Sequence, residues 1–231
     1  MGFQLTEIVP WGRSFSEYRS MFALGQSELS RSILGCGDGP ASFNADFSAQ
    51  GGRIVSADPL YAFSAEAIAE RIDAVFQTVM KQIRANRTDY IWTHIRSEDE
   101  LGEIRMQAMR RFLEDYPAGI HEGRYVNAAL PNLPFENGTF DLALVSHLLF
   151  LYSKHMDFDF HLAALIELCR VAREVRIFPL VELDGTPSRH LENIIGALTH
   201  NGMTSRKVRT DYEFQRGGHD MLVITNTETA S

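Results

Sequence analysis

The chain has 231 residues, 45% of them hydrophobic and 23% charged, enough for one α/β domain that buries its own core without metals or disulfides. Its formal charge of −8 speaks against a broad phosphate-binding face, because nucleic-acid affinity rests mainly on Lys and Arg neutralising backbone phosphates. No apolar run approaches the ~18 residues of a membrane span, no charged-then-apolar leader opens the chain, and only two cysteines occur, Cys36 and Cys169, as suits a reducing cytoplasm.

In chain order, Met1-Gly2-Phe3-Gln4-Leu5-Thr6 fits the loose myristoylation pattern, a match taken as accidental. Residues 1–29 precede the first strand, and Phe15, Tyr18, Met21 and Phe22 recur there at helical spacing. A short apolar run then enters a loop of alternating glycines, Gly35, Gly37 and Gly39, with Cys36 and Asp38 between them. Pro40 follows, where it suits the first turn of a helix. Such a junction lets backbone N–H groups approach a ligand with no side chain in the way. Arg53 to Ala57 reads as a second buried strand ending at Asp58, a carboxylate placed to accept hydrogen bonds from a ribose diol.

More than sixty residues separate Asp58 from the third strand, where one crossover helix would do. Two helices fit. One starts after Ser64, with Ile68, Ile72, Val75, Val79 and Ile83 on a stripe. The other follows Ser97-Glu98-Asp99-Glu100, a capping box, with Leu101, Ile104, Ala108, Met109, Phe112 and Tyr116 on one face. Residues 87–118 form the least standard segment, in which His94 and Arg96 are the polar residues to watch. Arg124 to Ala129 reads as the third strand, and Asp141 to Val145 as a buried fourth. Asp157 or Asp159 caps a helix through Leu162, Leu165, Ile166 and Cys169, and Glu174 to Val181 forms a fifth strand. Thr186-Pro187 opens a helix that Asn201-Gly202 closes. Arg206–Phe214 and Met221–Thr225 make a closing antiparallel pair, and 226–231 a loose tail.

The spacing Gly35-x-Gly37-x-Gly39, with Pro40 where a dinucleotide fingerprint would hold its last glycine, resembles the first motif of class I S-adenosylmethionine-dependent methyltransferases. Leu133-Pro134-Phe135, then Phe140-Asp141 and the apolar Leu142 to Val145, is similar to a segment of the small-molecule (type-11-like) branch. The resemblance implies a Rossmann-like, doubly wound, mostly parallel seven-stranded sheet with an antiparallel C-terminal hairpin strand. Helices cover both faces, with extra ones near the N-terminus and after the second strand. S-adenosyl-L-methionine is the implied cofactor and S-adenosyl-L-homocysteine the product.

By that resemblance Arg13 and Tyr18 pair with the methionine carboxylate, and the loop 35–39 lies beneath the amino-acid arm. Asp58 grips the ribose, and Pro59, Leu60, Asn127, Ala128 and Ala129 surround the adenine. Ser146 and His147, at the end of the fourth strand, lie beside the methyl group, and His147 is the candidate general base, its ordinary pKa of about 6.5 being close to working pH. A purely pocket-shaping role for His147 stands beside that reading, and Tyr152, Lys154 and His155 are weaker candidates. One departure stands out. The family's acid two places before the first glycine is Ile33 here, so the methionine end is held differently or less tightly. The expected protein is a cytoplasmic methyltransferase of a small-molecule acceptor, metal-free, a monomer by default with a homodimer as the alternative. A non-catalytic cofactor- or nucleotide-binding protein on the same fold is the competing reading.

Overall fold

In the computed structural model, which describes residues 9–226, seven strands form one sheet in the order β3-β2-β1-β4-β5-β7-β6. They are β1 (Ser32–Cys36), β2 (Arg53–Ala57), β3 (Tyr125–Val126), β4 (Phe140–Ser146), β5 (Ala172–Phe178), β6 (Met203–Arg209) and β7 (Asp220–Asn226). The first five run parallel, and β7 enters antiparallel between β5 and β6. Seven strands, mostly parallel, with an antiparallel hairpin strand at the C-terminal end are what the methyltransferase resemblance implies. The parallel strands are buried on both faces, which is why they read as continuous apolar runs. Alternation along β4 still assigns sides: Ala143 and Val145 join one core cluster, Leu142 and Leu144 the other.

The first cluster packs beneath α5 (Phe158–Val171) and α6 (Leu191–His200). The opposite one packs beneath α1 (Phe15–Met21) and α2 (Phe43–Ala49), where Tyr18, Phe43 and Phe47 stack in sequence. Between β2 and β3 run α3 (Ala65–Ala85) and α4 (Glu98–His121). Ile68 and Ile72 near the start of α3 cluster with Met109, Phe112 and Tyr116 late in α4, whereas Val79 and Ile83 near its end meet Leu101. The pair is therefore antiparallel. Cys36 and Cys169 are both buried free thiols, and burial pushes each thiol up from its ordinary range.

Several sequence expectations shift. Pro40 sits in a turn, and α2 begins three residues later, after Ser42. The third strand stops at Val126, so Asn127 to Ala129 leave the sheet. Thr186-Pro187 does not start a helix: Thr186 donates to Asp184 Oδ1 from N (3.1 Å) and Oγ1 (2.6 Å), Pro187 bridges to Val181, and α6 begins at Leu191. Strand β5 ends before Pro179, whose ring nitrogen cannot donate to a ladder, rather than at Val181. Strand β6 lies earlier than expected, ending at Arg209, which frees Thr210 to His219 as a long connection. Ser97 caps α4 as expected, but Glu100 bonds the Arg96 N–H rather than that of Ser97, so the capping box is incomplete. Of the two candidate caps of α5, Asp157 is the one used, accepting from Phe160 N at 2.9 Å. The myristoylation-like start and the tail beyond residue 226 lie outside the described residues. No helix among the described residues is long and apolar enough to cross a membrane.

Candidate active site

Two clefts meet beyond the carboxyl ends of β1, β2 and β4, sharing Val9, Gly37, Gly39 and Leu148. The first is mainly apolar. Cys36, Asp58, Pro59, Leu60, Ala128 and Ala129, all residues the sequence singles out, line it, with Ala57, Leu130, Met156 and Phe160 besides. Asn127 is exposed and does not line it, because the chain has already turned out of the sheet. Asp58 has a structural task of its own: its Oδ2 accepts from Gly39 N at 2.8 Å and its Oδ1 from Leu60 N at 2.7 Å. The carboxylate thereby ties the glycine loop to the short 3-10 helix Pro59–Ala62. Two backbone donors leave a carboxylate with lone pairs for further hydroxyls.

The glycines divide by cause. A side chain on Gly35 would strike the Asp38 carboxylate at 1.8 Å, and one on Gly37 would strike Leu148 at 2.4 Å, so the protein's own packing requires both. Gly39, with φ +53°, would meet nothing within 4 Å; it alone of the three borders open space.

The second cleft is polar at its near end and apolar beyond. Arg13, Tyr18, Asp38, Ser146 and His147 line the near end, together with Arg105 from α4. Asp38 is buried, accepting from Tyr18 Oη at 2.8 Å and from Ser56 Oγ at 2.7 Å. Burial raises its carboxyl to about 6, despite the opposing pull of those two hydroxyls. Tyr18 is thus engaged with Asp38 rather than free to bind a carboxylate. Arg13 donates from Nη1 to Trp11 O at 3.3 Å, but its buried Nε has no partner. Burial, then the neighbouring Arg105, lowers its guanidinium to about 10.

Arg105 is the residue that sequence reasoning missed. It is 1% exposed, donates from Nη1 to Glu17 Oε2 at 2.6 Å, and leaves its Nε without a partner. Tyr212 donates to the other oxygen of Glu17 at 2.8 Å. Burial pushes the Glu17 carboxyl up, but Arg105 outweighs it and draws the group down to about 2. The sequence signal was a charge on an apolar face: Arg105 follows Leu101 by four positions and precedes Ala108 and Met109 on the buried stripe of α4.

His147 sits at φ +53°, one of two non-glycine residues with positive φ among those described, held by a 2.7 Å bond from its N–H to Phe178 O. Left-handed backbone costs a non-glycine residue roughly 1 kcal/mol, and such strain collects at functional sites. Its Nδ1 shares a 2.9 Å hydrogen bond with Ser146 Oγ. Burial, then the charges of Arg13 and Arg105, hold its pKa well below 6.5, so the imidazole is neutral and its free ring nitrogen can accept a hydrogen bond. Tyr152 also reaches this cleft, whereas Lys154 pairs with Asp184 at 3.0 Å and His155 is exposed, both away from it. His94 and Arg96 are exposed as well, and neither lines the two clefts. No group of His, Cys, Asp and Glu among the described residues could hold a metal ion.

No family model matches the chain. It is 33% identical, over 221 residues, to the uncharacterised protein MJ0045 of Methanocaldococcus jannaschii, an alignment covering 95% of this chain and 97% of that one. Solved structures of similar shape include mitomycin 7-O-methyltransferase (12% identity, 92% of this chain and 54% of that chain, TM-score 0.49). An S-adenosyl-L-methionine-dependent methyltransferase structure from Methanococcus maripaludis aligns over 92% and 83% at 12% identity and TM-score 0.47. Magnesium protoporphyrin IX methyltransferase of Synechocystis, solved with S-adenosylmethionine bound, aligns over 92% and 91% at 14% identity and TM-score 0.43. The chain belongs to the family of the uncharacterised Methanocaldococcus protein.

Proposed function

We propose that this protein is an S-adenosylmethionine-dependent methyltransferase acting on a small-molecule acceptor. The observation that carries the reading is the pair of joined clefts over the glycine loop, one apolar and closed by Asp58, the other holding a buried, unpartnered Arg13 Nε opposite a buried Asp38. These residues fit the cofactor. The apolar cleft suits the nucleoside, with Asp58 accepting from the ribose and Leu60, Ala128 and Ala129 flanking the adenine. Arg13 supplies a guanidinium donor for the methionine carboxylate, and Asp38 an acceptor for its ammonium. Asp38 thus stands in for the acid that Ile33 replaces. When bound, the cofactor supplies an activated methyl group. The protein aligns the acceptor, excludes water, and takes a proton at Nε2 of His147.

The test is a thermal-shift titration with S-adenosylhomocysteine and, separately, NAD. A ligand at 100 times its Kd stabilises by about 2.7 kcal/mol. Stabilisation by the first ligand alone is expected, and a response to NAD alone, or to neither, defeats the reading.

A further inference from the structure

Beyond its polar end the second cleft changes character. Val79 and Ile83 of α3, Tyr90 and Leu183 of neighbouring loops, and Phe214 of the β6–β7 connection form its far wall. The wall is fastened as a unit: Ile91 N donates to Phe214 O at 2.7 Å, Arg216 N donates to Asp89 O at 2.8 Å, and the Tyr90 and Phe214 rings stack with centroids 4.9 Å apart. Gln215, the one polar amide there, spends its Nε2 on the carbonyls of Glu182 (2.9 Å) and Leu183 (3.1 Å).

The charged groups lining the cleft are Arg13, Asp38 and Arg105, all at the near end. Arg105 is neutralised by Glu17, and Asp38 is bonded by two hydroxyls. If the functional reading above holds, Arg13 and Asp38 face the two charges of the methionine arm. The one donor left is Arg105 Nε, on a guanidinium whose charge Glu17 already balances, so no net charge remains to pair with one on the acceptor. A cationic amine would meet two guanidiniums, and a carboxylate would compete for the donors of the cofactor. A buried unpaired charge is expelled. Besides the Tyr90 and Tyr152 hydroxyls and Gln215 Oε1, the polar features left are Ser146 Oγ and Nε2 of His147; that Nε2 has no hydrogen-bond partner among the described residues and belongs to a neutral ring whose lone pair accepts a hydrogen bond.

We infer that the acceptor is a small, uncharged aromatic hydroxy compound, its ring against the Ile83, Tyr90 and Phe214 wall and its O–H donated to Nε2 of His147. Transfer forms the acceptor O–CH3 bond as the S–CH3 bond breaks, the bonding pair stays on sulfur as a neutral thioether, and the hydroxyl proton passes to Nε2 only as the sulfonium charge disappears, so the net charge of the site is unchanged. This inference rests on the proposed cofactor site, so the two are tested separately.

S-adenosylhomocysteine affinity is first measured by calorimetry. With that ligand saturating, binding of 4-methylphenol, 4-hydroxybenzoate and tyramine is compared by saturation-transfer NMR and calorimetry, and methylation is then assayed with S-adenosylmethionine. The three probes share a phenol and differ in charge. 4-Methylphenol is expected to bind more tightly than either charged probe by about tenfold or more, as an unpaired buried charge demands. Leu183→Lys, on the half-buried part of the wall, is expected to move the preference towards 4-hydroxybenzoate without changing S-adenosylhomocysteine affinity. Equal or tighter binding of a charged probe, or no binding of any of the three while S-adenosylhomocysteine binds normally, overturns the inference. Loss of S-adenosylhomocysteine binding in the native protein overturns the functional reading instead.

Discussion

At the scale of single residues, Asp38 carries the sharpest consequence. Its carboxyl is raised to about 6, against an unfolded value near 3.9. The folded state therefore binds this proton more tightly than the unfolded chain does. Stability falls as pH rises from about 4 to about 6, and above that the ionised group costs on the order of 3 kcal/mol, at about 1.4 kcal/mol per unit. Asp38→Asn is expected to raise the denaturation midpoint at pH 8, to lose that advantage below pH 4, and to weaken S-adenosylhomocysteine binding by about tenfold, the worth of one charge-assisted bond. Normal ligand affinity in this variant, read by calorimetry, would remove Asp38 from the site. The placement of Cys36 to Gly39, Asp58, Ser146 and His147 around the clefts was legible because their spacing follows the strand ends, whereas Gly35 lines neither cleft. Arg105 was not, because its partners Glu17 and Tyr212 come from distant segments and only the fold brings them together. Asn127 lies outside the clefts because β3 ends at Val126, three residues before the Ala129 at which the sequence pattern ends it.

Among the elements, the helix pair α3–α4 and the short helix α1 are joined through the Glu17–Arg105 bond. Neither partner is solvated, so removing one leaves a buried charge uncompensated, at a cost of about 3–5 kcal/mol. Glu17→Ala is expected to lose that much in urea denaturation. A double substitution, Glu17→Leu with Arg105→Met, is expected to regain most of it, since apolar residues of similar size often replace such a pair without loss. A single-variant cost below about 1 kcal/mol would mean that the pair is hydrated in solution. Ser64 and Ser97 were readable as helix starts because each side chain accepts from the backbone three residues on; Ser14 does the same ahead of α1, where only the apolar spacing had marked a helix. Prolines misled at Pro40 and Pro187, because a residue preorganised for the first helical turn is preorganised equally for an ordinary turn.

For the molecule as a whole, the seven strands, their mostly parallel run and the antiparallel final hairpin were readable through the methyltransferase resemblance, whose motifs at Gly35 and Asp141 fall on β1 and β4, which pair directly. Their link is physical: Ser32 N and Oγ both donate to Asp141 Oδ2, at 2.9 and 2.8 Å, at the end of the sheet opposite the clefts. The acceptor wall was not readable, because it is assembled from the insertion and the β6–β7 connection across a non-local bridge, Tyr90 to Gln215. Ligand binding at the joined clefts draws on the N-terminal segment, α3, α4 and that connection together. Hydrogen exchange with S-adenosylhomocysteine is accordingly expected to slow in residues 9–22, 79–92 and 214–218 and to leave α6 unchanged. Protection confined to the glycine loop would show that the far wall does not respond to the cofactor.

The Glu17–Arg105–Tyr212 junction also bears on biosynthesis. Its three members are spread from near the start to near the finish of a 231-residue polypeptide. A nascent chain halted before Tyr212 has the nucleoside cleft's strands but lacks a hydroxyl that braces Glu17, and with it Phe214 and the closing wall. Assembly of the complete chamber must therefore wait until Tyr212 and Phe214 have been synthesised, and a product terminated before them is left with a half-built, ionised interior.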